Sequence, residues 1–265
     1  MIDLKTIPDM DAIVEDGDAV RIGALAKLSD VADSDAVKSG CAALAEACAR
    51  AASPTIRHMG TIGGNACQMH RCWYFRTPDD RFHCKRKGGD WCPARVGDNR
   101  YHSIFGDQDG CYAASSHDTA PALVALGATV VTSEAGRVPA EEVLQGQRRA
   151  LERAGGRRGG HRVQGAEGRQ ERVSEVALRK SIDFPLVNCA VAQGGDGEVR
   201  VVLGGVYPAP VRSSEAEAEV AGGVNDAAAS KAGDAAVAAC KPLGKNAYKV
   251  EIARTLVKRT LMDIA

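Results

Sequence analysis

Apolar positions recur along the chain in several distinct periods. Residues 18–30, "DAVRIGALAKLSD", read as a short strand running into a turn. Residues 34–52, "SDAVKSGCAALAEACARAA", carry apolar side chains at helical spacing, with Cys41 and Cys48 on that helix. Glycines punctuate "PTIRHMGTIGGN" at 54–65, and "YAASSHDTAPALVALGATVVTSEAGRV" passes from a polar turn through a helix into a strand, "ATVVTS". Further on, "VALRKSIDFPLVNCAVAQ" and "GEVRVVLGGVYPAPVR" are two strand-like runs joined by the turn "GGDGE". Helical segments are expected near 214–240 and 246–263, so this half reads as strands covered by helices.

Two stretches break the pattern. Residues 66–112 are rich in Cys, His, Arg and Asp and short of aliphatics, which marks a long functional loop. Residues 145–172, "QGQRRALERAGGRRGGHRVQGAEGRQER", have almost no aliphatics and no lysine, a composition that builds no core. Three readings are open for this second stretch: an Arg/Gly-rich RNA-binding segment, a disordered linker, or translation of GC-rich coding sequence in a shifted frame. The abrupt loss and recovery of hydrophobic patterning favours the last.

Composition narrows the function classes. A chain of 265 residues, 45% hydrophobic and with zero formal net charge, suits a soluble protein of one large or two modest domains. Balanced charge gives no general reason to expect nucleic acid or a membrane surface as partner. Neither an export signal nor a membrane-spanning run is visible, so a cytoplasmic protein is expected. Nine cysteines without an export signal point to metal or redox chemistry in preference to a disulfide framework. Cys41 and Cys48 read as small core hydrophobes.

The chemistry concentrates in one region. Cys67, Cys72, Cys84, Cys92 and Cys111 lie in the aliphatic-poor loop, where packing gives little reason for thiols. The last four are separated by eleven, seven and eighteen residues, which matches neither a zinc ribbon nor the compact ferredoxin run. By spacing alone, four thiolates suit a tetrahedral zinc or a [4Fe–4S] cluster. Arg and Lys in "HRC", "FHCKRK" and "DWCPARVGDNR" favour thiolates and offset cluster charge, and Trp73, Tyr74, Phe75, Phe82 and Trp91 would shield it. Just upstream, the paired glycines of "TIGGN" suit either a plain tight turn or a backbone that approaches a phosphate group.

The ordered blocks "ASPTIRHMGTIGGNACQ", "HDTAPALVALGA", "LRKSIDFPLVNCAVA", "VVLGGVYPAPVR" and "NAYKVEIARTLVKR" resemble the FAD-binding subunits of the molybdenum hydroxylase, or xanthine dehydrogenase, family. The resemblance covers nearly the whole chain except 145–172. It implies an α+β fold: residues 1–144 as part of a PCMH-type, vanillyl-alcohol-oxidase-like FAD-binding domain with an iron–sulfur insertion at 66–112, and residues 173–265 as a CO-dehydrogenase-flavoprotein-like domain of antiparallel strands with helices. The cysteine loop is most similar to that of the flavoprotein (beta) subunit of 4-hydroxybenzoyl-CoA reductase, which implies Cys72, Cys84, Cys92 and Cys111 as ligands of a [4Fe–4S] cluster. Thr61, Ile62, Gly63, Gly64 and Asn65 match the second flavin loop, Asp118 the acid that contacts the flavin nucleotide, and Phe184 the block near the flavin. Asp118 alone also reads as a helix N-cap before "TAPALVAL".

The resemblance further implies a molybdopterin-containing large subunit and a [2Fe–2S] small subunit as partners, with ferredoxin or NAD as the external electron partner. No residue of this chain need act as acid, base or nucleophile on the organic substrate. Three departures stand out: family members begin earlier, with a first glycine-rich loop for the FAD pyrophosphate; Glu175 stands where a lysine is usual; and 145–172 replaces strand-forming sequence. The alternatives are an NAD-linked xanthine-dehydrogenase-type FAD subunit, a zinc- or RNA-binding protein, and an inactive remnant.

Overall fold

A computed structural model describes residues 3–132, 135–145, 160–164 (backbone only), 170–179 and 182–265. The first half opens with a hairpin, β1 (Ile13–Asp16) and β2 (Ala19–Gly23). Five short helices follow: α1 (Leu28–Asp33), α2 (Asp35–Gly40), α3 (Ala42–Arg50), α4 (Pro54–Arg57) and α5 (Ile62–Cys67). The expected helix over 34–52 is therefore two helices. Cys41 leaves helical geometry at φ −151° and both ends α2 and starts α3, so the break falls at the Gly40–Cys41 step, where glycine weakens the helix.

Residues 68–119 contain one further single-turn helix, α6 (Trp73–Arg76), and 3-10 turns at Lys85–Lys87 and Pro93–Arg95. Then come α7 (Ala120–Ala125), β3 (Thr129–Thr132), β4 (Gly136–Pro139), α8 (Ala140–Val143) and β5 (Gly160–Gln164). Together they make an antiparallel sheet in the order β1-β2-β5-β3-β4. The expectation that 145–172 stands apart from both halves is corrected at 160–164, whose backbone fills the gap between β2 and β3. Strand pairing needs only main-chain N–H and C=O groups, which an Arg- and Gly-rich composition still supplies. The readings that rest on 146–159 and 165–169 lie outside the described residues.

The second half is a four-stranded antiparallel sheet, β6 (Gln170–Ala177), β7 (Pro185–Gln193), β8 (Val199–Gly204) and β9 (Val211–Arg212), in that order. Three helices follow: α9 (Ser214–Val220), α10 (Asp226–Val237) and α11 (Tyr248–Met262). The first expected helical segment thus divides between α9 and α10. Gly222 and Gly223 interrupt it, Gly223 at a left-handed φ of +112°, and the Asn225 side chain restarts it by accepting the Ala228 N–H at 3.0 Å.

Alternation along β7 and β8 explains how the halves join. Val173, Ala190, Ala192 and Val202 point into one core with Leu44, Leu123 and Val130 of the first half. Their neighbours Val187, Cys189, Val191, Val201 and Leu203 point into a second core with α9–α11. A strand buried on both faces needs the near-continuous apolar runs seen in the sequence. No helix among the described residues is long and apolar enough to cross a membrane.

Candidate cofactor and metal centre

The "TIGGN" turn is built as a capped helix start. Thr61 caps α5, its hydroxyl accepting the Gly64 N–H at 3.0 Å. The N–H groups of Ile62 and Gly63 go to the carbonyls of Ala26 and Ala24, both at 2.9 Å, and that of Asn65 goes to the Thr61 carbonyl at 2.8 Å. These donors are committed to the fold. A Cβ on Gly63 would stand 2.7 Å from the Ala24 oxygen, so glycine there lets α5 press onto the chain leaving β2. Gly64 is exposed, and its missing Cβ faces only the Thr61 hydroxyl.

Asn65 ties this turn to Asp118. Its amide nitrogen donates to the Asp118 carboxylate at 2.9 Å, and its oxygen accepts the Thr119 hydroxyl at 2.8 Å. Asp118 does not cap α7; Thr119 occupies that position, without a side-chain cap. Burial raises the Asp118 carboxyl above its usual range, with the Asn65 hydrogen bond opposing the shift.

Phe184 lies elsewhere, on a cavity of ≈ 390 Å³ lined also by Arg71, Cys72, Trp73, Ser116 and Lys249. The Arg71 guanidinium sits 4.9 Å from the Phe184 ring centroid, and the buried Ser116 hydroxyl has no partner. Thr61–Asn65 and Asp118 do not line this cavity, though the Gln68 amide, one residue past α5, donates to the Ser116 carbonyl at 3.0 Å. Glu175 faces a separate surface groove with Arg50 and Lys258. Its carboxyl is raised, mainly by burial.

The four cysteines converge from separate turns. Cys72 opens α6, Cys84 and Cys92 precede the two 3-10 turns, and Cys111 closes a tight turn back to Gln108. Burial pushes the Cys72 thiol up to about 11, against hydrogen bonds from the Phe75 and Tyr74 backbones and with further upward pressure from Cys111 and Cys84. Cys92 and Cys111 hydrogen-bond each other. That interaction, reinforced by Arg86, holds the Cys111 thiol below its ordinary range and drives Cys92 up.

Backbone N–H groups also reach these sulfurs, from Tyr112 and Ala94 to Cys92 and from Ala113 to Cys111 at 3.5 Å. Two side chains do the same. Arg86 Nε lies 2.9 Å from the Cys111 Sγ, and His102 Nε2 lies 3.3 Å from the Cys72 Sγ. Among the described residues, no group of three or more His, Cys, Asp or Glu side chains is placed to hold a metal ion.

Sequence reasoning counted Arg86 among the cations of "FHCKRK" without its contact to Cys111, and missed Lys249, His70 and His102. Lys249 is fully buried, and its amine donates to the carbonyls of Gly205 and of His102, the latter at 3.2 Å; burial lowers it to about 7. A signal was present, since Lys249 lies on the apolar stripe of α11 with Ala253, Leu256 and Val257. The contacts of the other three become visible only when the loop closes.

Two family models match the chain: the FAD binding domain in molybdopterin dehydrogenase over residues 1–155, and the CO dehydrogenase flavoprotein C-terminal domain over 172–264. The chain is 30% identical to the aldehyde oxidoreductase FAD-binding subunit PaoB of Escherichia coli (strain K12), over 95% of this chain and 79% of that protein. It is 27% identical to the carbon monoxide dehydrogenase medium chain of Hydrogenophaga pseudoflava, over 98% and 80%. A solved structure of that organism's carbon monoxide dehydrogenase superposes with a TM-score of 0.71 at 24% identity, covering 98% of this chain and 80% of that one. Quinoline 2-oxidoreductase from Pseudomonas putida 86 shares the fold at a TM-score of 0.70 and 16% identity, with the same coverage.

Proposed function

Because this chain belongs to the FAD-binding medium subunits of the molybdenum hydroxylase family, an oxidoreductase family, we propose that it is an electron-transfer subunit carrying both FAD and a [4Fe–4S] cluster. The observation that carries the second cofactor is the gathering of Cys72, Cys84, Cys92 and Cys111 with N–H groups aimed at three of their sulfurs. A [4Fe–4S] cluster takes one thiolate on each iron, so its ligands surround a volume, whereas zinc needs them to meet at one point. Backbone N–H···S bonds support a sulfur that carries negative charge, as a ligating thiolate does.

For FAD, Phe184 offers a ring face, Arg71 a cation and Ser116 an unpaired hydroxyl at the cavity wall. Thr61, Ile62, Gly63, Gly64 and Asn65, braced by Asp118, frame the nucleotide side. When bound, the flavin exchanges electrons in pairs or singly and the cluster one at a time. The chain's own residues hold and shield the two groups. Substrate chemistry falls to a molybdopterin-containing large subunit, and a [2Fe–2S] small subunit relays electrons to or from FAD. The extra cluster favours ferredoxin over NAD as external partner and keeps a 4-hydroxybenzoyl-CoA reductase-like complex as the finer assignment, in the cytoplasm.

Anaerobic purification with the neighbouring subunits, followed by metal and flavin analysis, tests this. About four irons bound to this chain beyond those of the small subunit are expected, together with FAD. Cys84→Ser is expected to lose that iron and keep the flavin. A flavoprotein with no such iron, or with zinc in its place, would refute the cluster.

A further inference from the structure

Two side chains point hydrogen-bond donors at the proposed cluster ligands. Arg86 directs Nε at the Cys111 sulfur from 2.9 Å, and its terminal nitrogen lies 3.2 Å from His70 Nε2. Arginine has no acceptor, so His70 must receive that hydrogen bond on an unprotonated Nε2. His70 is fully buried, so its ring is held in place and can steer the guanidinium. At another sulfur, His102 Nε2 stands 3.3 Å from the Cys72 Sγ, and its other nitrogen is buried without a partner. A ligating thiolate has no proton to give. The ring must therefore donate through Nε2–H.

His102 is fixed in place independently of the thiol. Its carbonyl accepts from the Asn246 amide and the Lys249 amine, both at 3.2 Å, and its ring packs against Trp73 and Tyr74. Arg86 and His102 thus reach different sulfurs from different turns, one braced by His70 and the other by Asn246 and Lys249.

We propose that Arg86 and His102 are potential-setting residues, whose N–H···S bonds to Cys111 and Cys72 raise the reduction potential of the cluster. The inference rests on the [4Fe–4S] reading above. An N–H donor withdraws electron density from a thiolate, and a cation adds direct stabilisation, so both favour the more negative, reduced cluster. Arg86, which brings a full charge, carries the larger share. His70 is a positioning residue for it.

The test is a redox titration of the intact complex, followed by electron paramagnetic resonance, with iron and FAD counted in each variant. His102→Phe and Arg86→Leu are expected to keep their iron while the reduced-to-oxidised ratio at fixed ambient potential falls; for Arg86→Leu the expected fall is about tenfold, equivalent to about 59 mV for one electron. His102→Gln, which retains a donor, and Arg86→Lys, which retains the charge, should recover part of the shift. Unchanged potentials with iron retained would overturn the proposal.

Should the variants lose iron, the wild-type complex decides. Its Fe–S(Cys) resonance Raman bands are expected to shift on exchange into D2O, as exchangeable N–H donors on the ligand sulfurs require, and an absent shift overturns the proposal. A wild-type complex without the extra iron would instead refute the cluster reading itself.

Discussion

Lys249 shows how much one buried side chain can depend on its protonation state. A neutral amine has two protons, and two carbonyls stand ready for them. Folding lowers its value from the ordinary 10.5 to about 7, so between these limits the unfolded chain binds more protons than the folded one. Stability from this residue therefore rises with pH through that window and is lost as pH falls towards 7. From pH 7 to pH 9 the gain is about 2 kcal/mol. Urea melts of the wild type and of Lys249→Met should differ by that slope; parallel profiles would contradict it. The cysteines stood out in the sequence because an aliphatic-poor stretch gives thiols little packing reason to be there. The contacts of Arg86, His70 and His102 did not, since their partners lie 16 to 30 residues away and meet only through tertiary closure.

At the scale of elements, α5 is the piece whose placement everything nearby uses. Gly63 brings it against Ala24, Thr61 caps it, and Asn65 on its face reaches Asp118 and Thr119. Gly63→Ala forces a Cβ onto a backbone oxygen, and overpacking of this kind costs about 1–3 kcal/mol. Chemical denaturation should show the loss, while Gly64→Ala, at an exposed position where the added Cβ meets only the Thr61 hydroxyl, should cost less; equal effects would mean that the close approach to backbone is unimportant. Strands β7 and β8 and helix α7 were readable from apolar runs and polar boundaries. The break at Cys41 and the division of α9 from α10 were blurred because alanine-rich sequence continues a helical pattern across them. Strand β5 was hidden for a different reason: main-chain pairing leaves no signature in an Arg- and Gly-rich composition.

For the molecule as a whole, the shared sheet matters most. Val173, Ala190, Ala192 and Val202 from the second half complete the core of the first, while the reverse face of the same strands completes the other core. Neither core is enclosed without β7 and β8, so the two halves should melt together. Calorimetry is expected to give one cooperative transition with matching calorimetric and van't Hoff enthalpies, and two resolved transitions would show that the halves are independent. The cysteine region joins this unit at its end: Ile104 is fully buried in the second core, and Asn246 and Lys249 hold the chain at 102–103. Distant parts of the sequence thus fix the frame that carries the cysteine turns.

The placement of β7 and β8 also sets a schedule for biosynthesis. As the polypeptide leaves the ribosome, α3, α7 and β3 emerge first, with one side of their apolar interior open to water. That side closes only when Ala190, Ala192 and Val202 have cleared the exit tunnel. For much of its translation the nascent chain therefore offers chaperones a hydrophobic surface that its own later residues will cover.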